Sequence, residues 1–250
     1  KECSSLVSIS IPFSVHKIEE GAFQLCRSLI KVIIPSSVKE IKRYTFKGCT
    51  SLVSVSIPPS VTSINYCAFQ YCISLKSVSI PSSVTMIHNS AFSECSSLSY
   101  ISMPKSVTFF GNNIFEGVES LELAGDITSI NQSIFNNCQS LTEIVIPSSV
   151  TSIDEKAFIN CVSLIQISIP SSVISIGESA FCKCSSLLSI SIPPSVNTIR
   201  NSTFYGCSLL NHVDIPFTVK TIENEAFSNC ISLTEISIPS SVISIGNFAF

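Results

Sequence analysis

The sequence predicts a β-rich solenoid, and three observations carry that prediction. Proline recurs at Pro12, Pro35, Pro58, Pro81 and Pro104, then at Pro147, Pro170, Pro193, Pro216 and Pro239, each run stepping by 23 residues (35 − 12, 170 − 147). Phenylalanine keeps the same interval at Phe23, Phe46, Phe69, Phe92 and Phe115. After one step of 20 (135 − 115) it resumes at Phe135, Phe158, Phe181, Phe204, Phe227 and Phe250. Between these markers, short segments alternate apolar and polar residues with a period of two, as a half-buried strand does. A fixed period of roughly 20 to 50 residues marks an array whose units pack on their neighbours.

One unit, Cys161 to Lys183, reads CVSLIQISIPSSVISIGESAFCK. Leu164, Ile167 and Ile169 alternate with polar residues and predict the first strand. Pro170 ends it, because proline lacks the N–H that a ladder needs. Ser171 and Ser172 supply turn chemistry through side-chain-to-backbone hydrogen bonds. Val173 and Ile176 frame a second short extended piece, and Ala180-Phe181 begin a tight turn or a single helical turn back to Cys184. Each coil sends about eight side chains inward and cannot bury them alone, so stacking supplies the stability. The expected organisation is a single solenoid over residues 1–250, of about eleven 23-residue units, one of them shortened around 118–130. Both ends fall mid-repeat without the polar caps that keep solenoids soluble, so a fragment of a longer chain is expected.

Ten of the twelve cysteines share one repeat position: Cys3, Cys26, Cys49, Cys72, Cys95, Cys138, Cys161, Cys184, Cys207 and Cys230. Side chains stacked this way point in parallel rather than toward each other, which disfavours disulfides. The expectation is a reduced, packed thiol ladder. Cys67 and Cys182 lie outside it, at positions where other units place Ser, Gln, Lys or Glu, and exposure is expected.

Composition narrows the function. Charged residues make up 12% of the chain, the formal net charge is −3 and the pI is about 5.6. No basic stripe suits nucleic acid, and no run reaches the ~20 apolar residues of a membrane helix. There is no Gly-x-Ser-x-Gly elbow, no Gly-rich phosphate loop and no cysteine–histidine spacing that suits zinc. His212 and Asp214 share a strand face and read as a solvated surface pair. The expectation is no catalytic residue, no metal and no cofactor.

One unit departs from the pattern. Val118 stands where cysteine belongs, and Leu121 to Ile127 replaces the strand, proline and turn with three residues fewer. Gly125-Asp126 is a natural tight turn. The break reads either as tolerated shortening of a loop, or as a kink or an interaction hot spot that exposes Phe109.

Leu-x-x-Ile-x-Ile-Pro, then Val-x-x-Ile, then Ala-Phe-x-x-Cys, resembles the BspA-like, or treponemal-type, leucine-rich repeat along the whole chain. The resemblance implies a right-handed coil with a parallel sheet on one face, formed by the Leu-x-x-Ile-x-Ile segments, and short second strands and turns on the other. It implies a surface-exposed or secreted, non-enzymatic protein that adheres to host matrix or cell-surface proteins. Serine dominates the outward positions of the strand face. The interruptions, Lys31, Tyr100, Glu143, Gln166, His212, Asp214 and Glu235, are the candidate ligand-binding residues. A passive stalk that displays another domain is the alternative, favoured by the low variation between units. Open sheet edges invite self-association. Asn131-Gln132-Ser133 and Asn201-Ser202-Thr203 are candidate glycosylation sites, at Asn131 and Asn201.

Overall fold

The computed structural model describes residues 2–132 and 134–250. The chain forms two compact units, Lys1–Asp126 and Ile127–Phe250. Each is a parallel β-solenoid, and no helix occurs among the described residues. In the first unit, strands β1 (Lys31–Ile33), β3 (Ser54–Ser56), β5 (Ser77–Ser79), β7 (Tyr100–Ser102) and β9 (Ser120–Ala124) form one parallel sheet. The period-2 pattern turns Val32, Val78, Ile101 and Leu123 into the core. A second sheet lies on the other side of each coil, from the two-residue strands β2 (Glu40–Ile41), β4 (Ser63–Ile64), β6 (Met86–Ile87) and β8 (Phe109–Phe110). Residues 23 apart stand in register, as in Lys31↔Ser54 and Ile64↔Ile87.

The second unit repeats the plan. On its first face β11 (Glu143–Val145) pairs with β13 (Gln166–Ser168), and β15 (Ser189–Ser191) with β17 (His212–Asp214). Its second face carries β10 (Ser129–Ile130), β12 (Ser152–Ile153) and β14 (Ser175–Ile176), then β16 (Thr198–Ile199), β18 (Thr221–Ile222) and β19 (Ser244–Ile245). Along one coil, Cys161, Leu164, Ile167, Val173, Ile176, Ala180 and Phe181 are buried.

After each proline the chain turns locally: Val173 N–H donates to Pro170 O at 3.0 Å. The serine hydroxyl in this turn acts over a longer range than expected. Ser172 Oγ donates to Val150 O of the preceding coil at 2.6 Å. Ser37, Ser60, Ser83, Ser106, Ser149 and Ser241 do the same, and Thr218 takes the role where serine is absent. The hydroxyl therefore staples coil to coil rather than closing its own turn.

The Phe arc is a run of tight turns. Lys156 and Asn160 flank Phe158 with φ of 56° and 61°, in the left-handed region that interrupts a right-handed helix. Their N–H groups, and that of Phe158, donate to Glu178, Cys182 and Ala180 of the next coil, while Ala157, Ile159 and Cys161 bond back three residues. Alternate donors are thus committed to the neighbouring coil, which leaves no i→i−4 ladder for a helical turn. The same pair of left-handed positions recurs around Phe46, Phe92, Phe181 and Phe227. The rings stack in one column per unit: Phe158 lies 5.1 Å from Phe135 and 5.2 Å from Phe181, nearly parallel to both.

None of the twelve cysteines forms a disulfide. In the ladder, Cys3 is exposed and the other nine are buried. The thiols of Cys49, Cys72, Cys95, Cys161, Cys184, Cys207 and Cys230 donate one coil back, as in Cys161 Sγ to Phe135 O at 3.1 Å and Cys184 Sγ to Phe158 O at 3.2 Å. Burial pushes the Cys49, Cys95 and Cys230 thiols up to about 12, which keeps them protonated donors. The expected exposure of Cys182 is corrected: it is 8% exposed. In its column the flanking coils carry the larger Ile159 and Tyr205, and small Ser93 is buried in the same column. Cys67 is half-buried.

The shortened unit keeps its strand. β9 is five residues long, and Tyr100 pairs with Glu122 and Ile101 with Leu123, a step of 22. Leu121 and Leu123 alternate directly, both buried, so one residue is lost between the first two core positions and the other two from the turn. Gly125 has φ of 101°, and a Cβ there would lie 2.3 Å from Met103 O. Asp126 Oδ1 accepts from the backbone N–H of Lys105 at 2.8 Å, so its carboxylate secures the turn that has no proline.

Candidate functional site: the strand face

The first-face strands alternate one inward residue with two outward ones, so outward identity is free of packing constraints. Lys31, Tyr100, Glu143, Gln166, His212, Asp214 and Glu235 are all exposed. They are not brought together as one set. Lys31 on β1 and Tyr100 on β7 belong to the first unit, where Lys31 stands beside Ser8 and Ser54, and Tyr100 between Ser77 and Glu122.

In the second unit the geometry is more specific. Glu143, Gln166, His212 and Asp214 line one trough of about 630 Å³ that crosses β11, β13, β15 and β17. Ser168, Ser189 and Ser191 also line it, together with Ile169, Pro193 and Pro194. Register places Glu143 against Gln166, Ser189 against His212 and Ser191 against Asp214. Glu235 joins His212 and Asp214 around an adjoining hollow of about 520 Å³. The Pro193-Pro194 lining was missed by reading strand positions alone. The doubled proline, which breaks the usual Pro-Ser step, was its trace in the sequence.

The trough is acidic. Glu143 and Asp214 carry its charge, Glu235 adds to that of the adjoining hollow, and no lysine or arginine occupies an outward position of this face between Glu143 and Ser237. His212 Nε2 lies 3.1 Å from Asp214 Oδ1, with both side chains more than 60% exposed. Water screens a pair this exposed, so it contributes little to stability. Among the described residues no hydrogen bond joins Ser189 Oγ to that imidazole, and no cluster of three or more His, Cys, Asp or Glu is placed to hold a metal. No helix of the described residues is long and apolar enough to cross a membrane.

The candidate glycosylation sites differ. Ser133, the third residue of the Asn131 triplet, lies outside the described residues, and Asn131 Oδ1 is buried. Asn201 Oδ1 accepts from Asn224 N at 3.2 Å, and Thr203 is buried with its hydroxyl on Arg200 O.

Six copies of the BspA-type leucine-rich repeat region match residues 1–122, 117–230 and 197–250. A leucine-rich repeat protein from Bacteroides ovatus is 26% identical, with a TM-score of 0.58 over 98% of this chain and 84% of that one. The Treponema pallidum leucine-rich repeat protein is 27% identical over 72% of this chain and 78% of its own, at a TM-score of 0.49. A leucine-rich cell surface protein from Faecalibacterium prausnitzii is 28% identical over 98% of this chain and 74% of its own, at a TM-score of 0.45. Comparison with curated proteins finds no match. The repeat that sets the strands, the prolines and the Phe column is thus a known one, and the chain belongs to the BspA-type leucine-rich repeat family.

Proposed function

We propose that the chain is a non-enzymatic protein-binding module of a surface-exposed or secreted protein, and that its ligand lies along the strand face of the second unit. The observation that carries this reading is the trough itself. The positions at which the serine columns give way to Glu143, Gln166, His212 and Asp214 converge on one concavity. Extended sheet faces are the binding surfaces of solenoids generally, and acidic groups around an open trough favour a ligand segment of complementary positive charge. Host matrix proteins and cell-surface proteins are the partner class. A candidate glycan at Asn201 would sit on a coil edge away from the trough residues.

Screening the purified chain against immobilised matrix proteins and whole epithelial cells tests the reading. Saturable binding that weakens with added salt is expected. A second reading, a passive stalk, is favoured by the plain serine columns at Ser54, Ser56, Ser77 and Ser79 of the first unit. Absence of binding to every partner tested would favour it.

A further inference from the structure

A different surface of the first unit breaks from the repeat as sharply as the trough does. Where the second strands run into the Phe arc, planar groups of four successive coils stand in one column, tilted to one another. The Arg43 guanidinium lies 5.7 Å from the Tyr66 ring centre, Tyr66 lies 4.8 Å from His88, and His88 lies 5.3 Å from Phe109. Beside the column, Arg43 donates to Tyr44 Oη at 3.0 Å, and Lys47 Nζ sits 5.2 Å from the Tyr44 ring centre and 5.9 Å from that of Tyr71. Tyr66, Tyr71 and Phe109 are 40 to 46% exposed. In the second unit the positions equivalent to Arg43 and Tyr66 hold Glu155, Glu178, Asn201, Asn224 and Asn247, so the repeat folds without such a column.

Charge decides what this surface would hold. Among the described residues neither Arg43 nor Lys47 makes an ion pair. Of the acids around them, Glu19 is taken by Lys42, Glu40 accepts from Asn65, and Glu20 acts on Arg43 only through its field. An aromatic ring is negative on its face and positive at its edge. Tyr66 sits between Arg43 and His88, and His88 between Tyr66 and Phe109, with the rings tilted by 33° and 51°, so a ligand lying across the coils meets ring edges, phenol hydroxyls, a guanidinium and an ammonium. Every one of these attracts an anion or donates a hydrogen bond to one.

We propose that the Arg43–Tyr66–His88–Phe109 column, with Tyr44, Lys47 and Tyr71, binds an anionic polysaccharide laid across successive coils. Single-stranded nucleic acid fits less well, because its bases need open aromatic faces on which to stack. Protein ligands draw most of their affinity from a few anchors packed into pockets, whereas Tyr66, Tyr71 and Phe109 stand half-exposed. A polymer dense in hydroxyls and carrying repeated carboxylates or sulfates uses all of the groups present.

The test measures affinity of the full chain for heparin, with dextran as the uncharged glycan and a single-stranded oligothymidylate as the non-glycan polyanion, at about 0.15 M salt. Saturable heparin binding that weakens with salt is expected, with no dextran binding and oligonucleotide binding at least about tenfold weaker. Arg43→Gln/Lys47→Gln should lose at least about tenfold in heparin affinity, and Tyr66→Leu a smaller part, while Lys156→Gln/Lys183→Gln in the second unit keeps the parent's affinity. If the double variant does not melt with the parent, Lys47→Gln alone carries the comparison. No saturable heparin binding, equal affinity for the oligonucleotide, or heparin affinity untouched by loss of these cations would overturn the proposal.

Discussion

Ser172 illustrates how single atoms join one coil to the next. Its hydroxyl answers a carbonyl 22 residues away, and removing it leaves Val150 O without that partner. Ser172→Ala should cost about 1 kcal/mol, whereas Ser172→Thr should melt close to the parent, since Thr218 makes the same bond at 2.9 Å. Urea midpoints of the two variants check this. The buried thiols make a second prediction at this scale. Their folded pKa of about 12 at Cys49, Cys95 and Cys230 lies above the ~8.5 of an unfolded thiol. Between those values the unfolded chain has released protons that the folded chain still holds. Their contribution is therefore complete below about pH 8.5 and falls as pH rises, by up to ~1.4 kcal/mol per unit for each thiol. Stability should drop from pH ~8 to ~10, and Cys95→Ala should reduce that slope.

The Phe arc and the shortened unit belong to the scale of elements. Phe158 is fully buried between two parallel rings, so Phe158→Ala should cost about 3–5 kcal/mol through the cavity it leaves. A melt that coincides with the parent's would contradict the inward column. Gly125→Ala forces a Cβ onto a left-handed backbone and against Met103 O. It should destabilise by more than about 1 kcal/mol, read by thermal melting, while Gly206→Ala, with no contact inside 3.4 Å, should cost less. What the sequence showed at this scale follows range. The first strand, its proline and the second strand obey rules that act within one coil, and they stand where the 23-residue pattern put them in the central coils, while around Glu235 no first strand forms. The turn run at Phe158, the reach of Ser172 and the burial of Cys182 are settled by groups one coil away. No pattern within a single unit displays them. In the shortened unit the missing proline was visible, but the survival of β9 was not. That strand depends on a register shift set by pairing with β7.

For the molecule as a whole, near-identical coils make departures informative. The outward strand residues were legible because packing places no demand on them, so each non-serine stands out. Their division was not legible: Lys31 and Tyr100 lie on the first unit, and Glu143, Gln166, His212, Asp214 and Glu235 gather on the second. The trough also needs Pro193 and Pro194, which arrive from a turn. The aromatic column could have been noticed as Arg43, Tyr66, His88 and Phe109 at intervals of 23, 22 and 21, but the drifting interval hides it from any fixed-period alignment. The family supplies the scaffold, and these two surfaces are where this chain differs from a bare scaffold.

The most direct measurement is binding of the Glu143→Ala/Gln166→Ala/His212→Ala/Asp214→Ala protein, beside the parent, to a matrix protein or epithelial cell that the parent binds saturably. The four side chains are exposed, so the variant should melt with the parent and lose at least about tenfold in affinity. Affinity equal to the parent's in a folded variant would contradict a ligand seated in the trough.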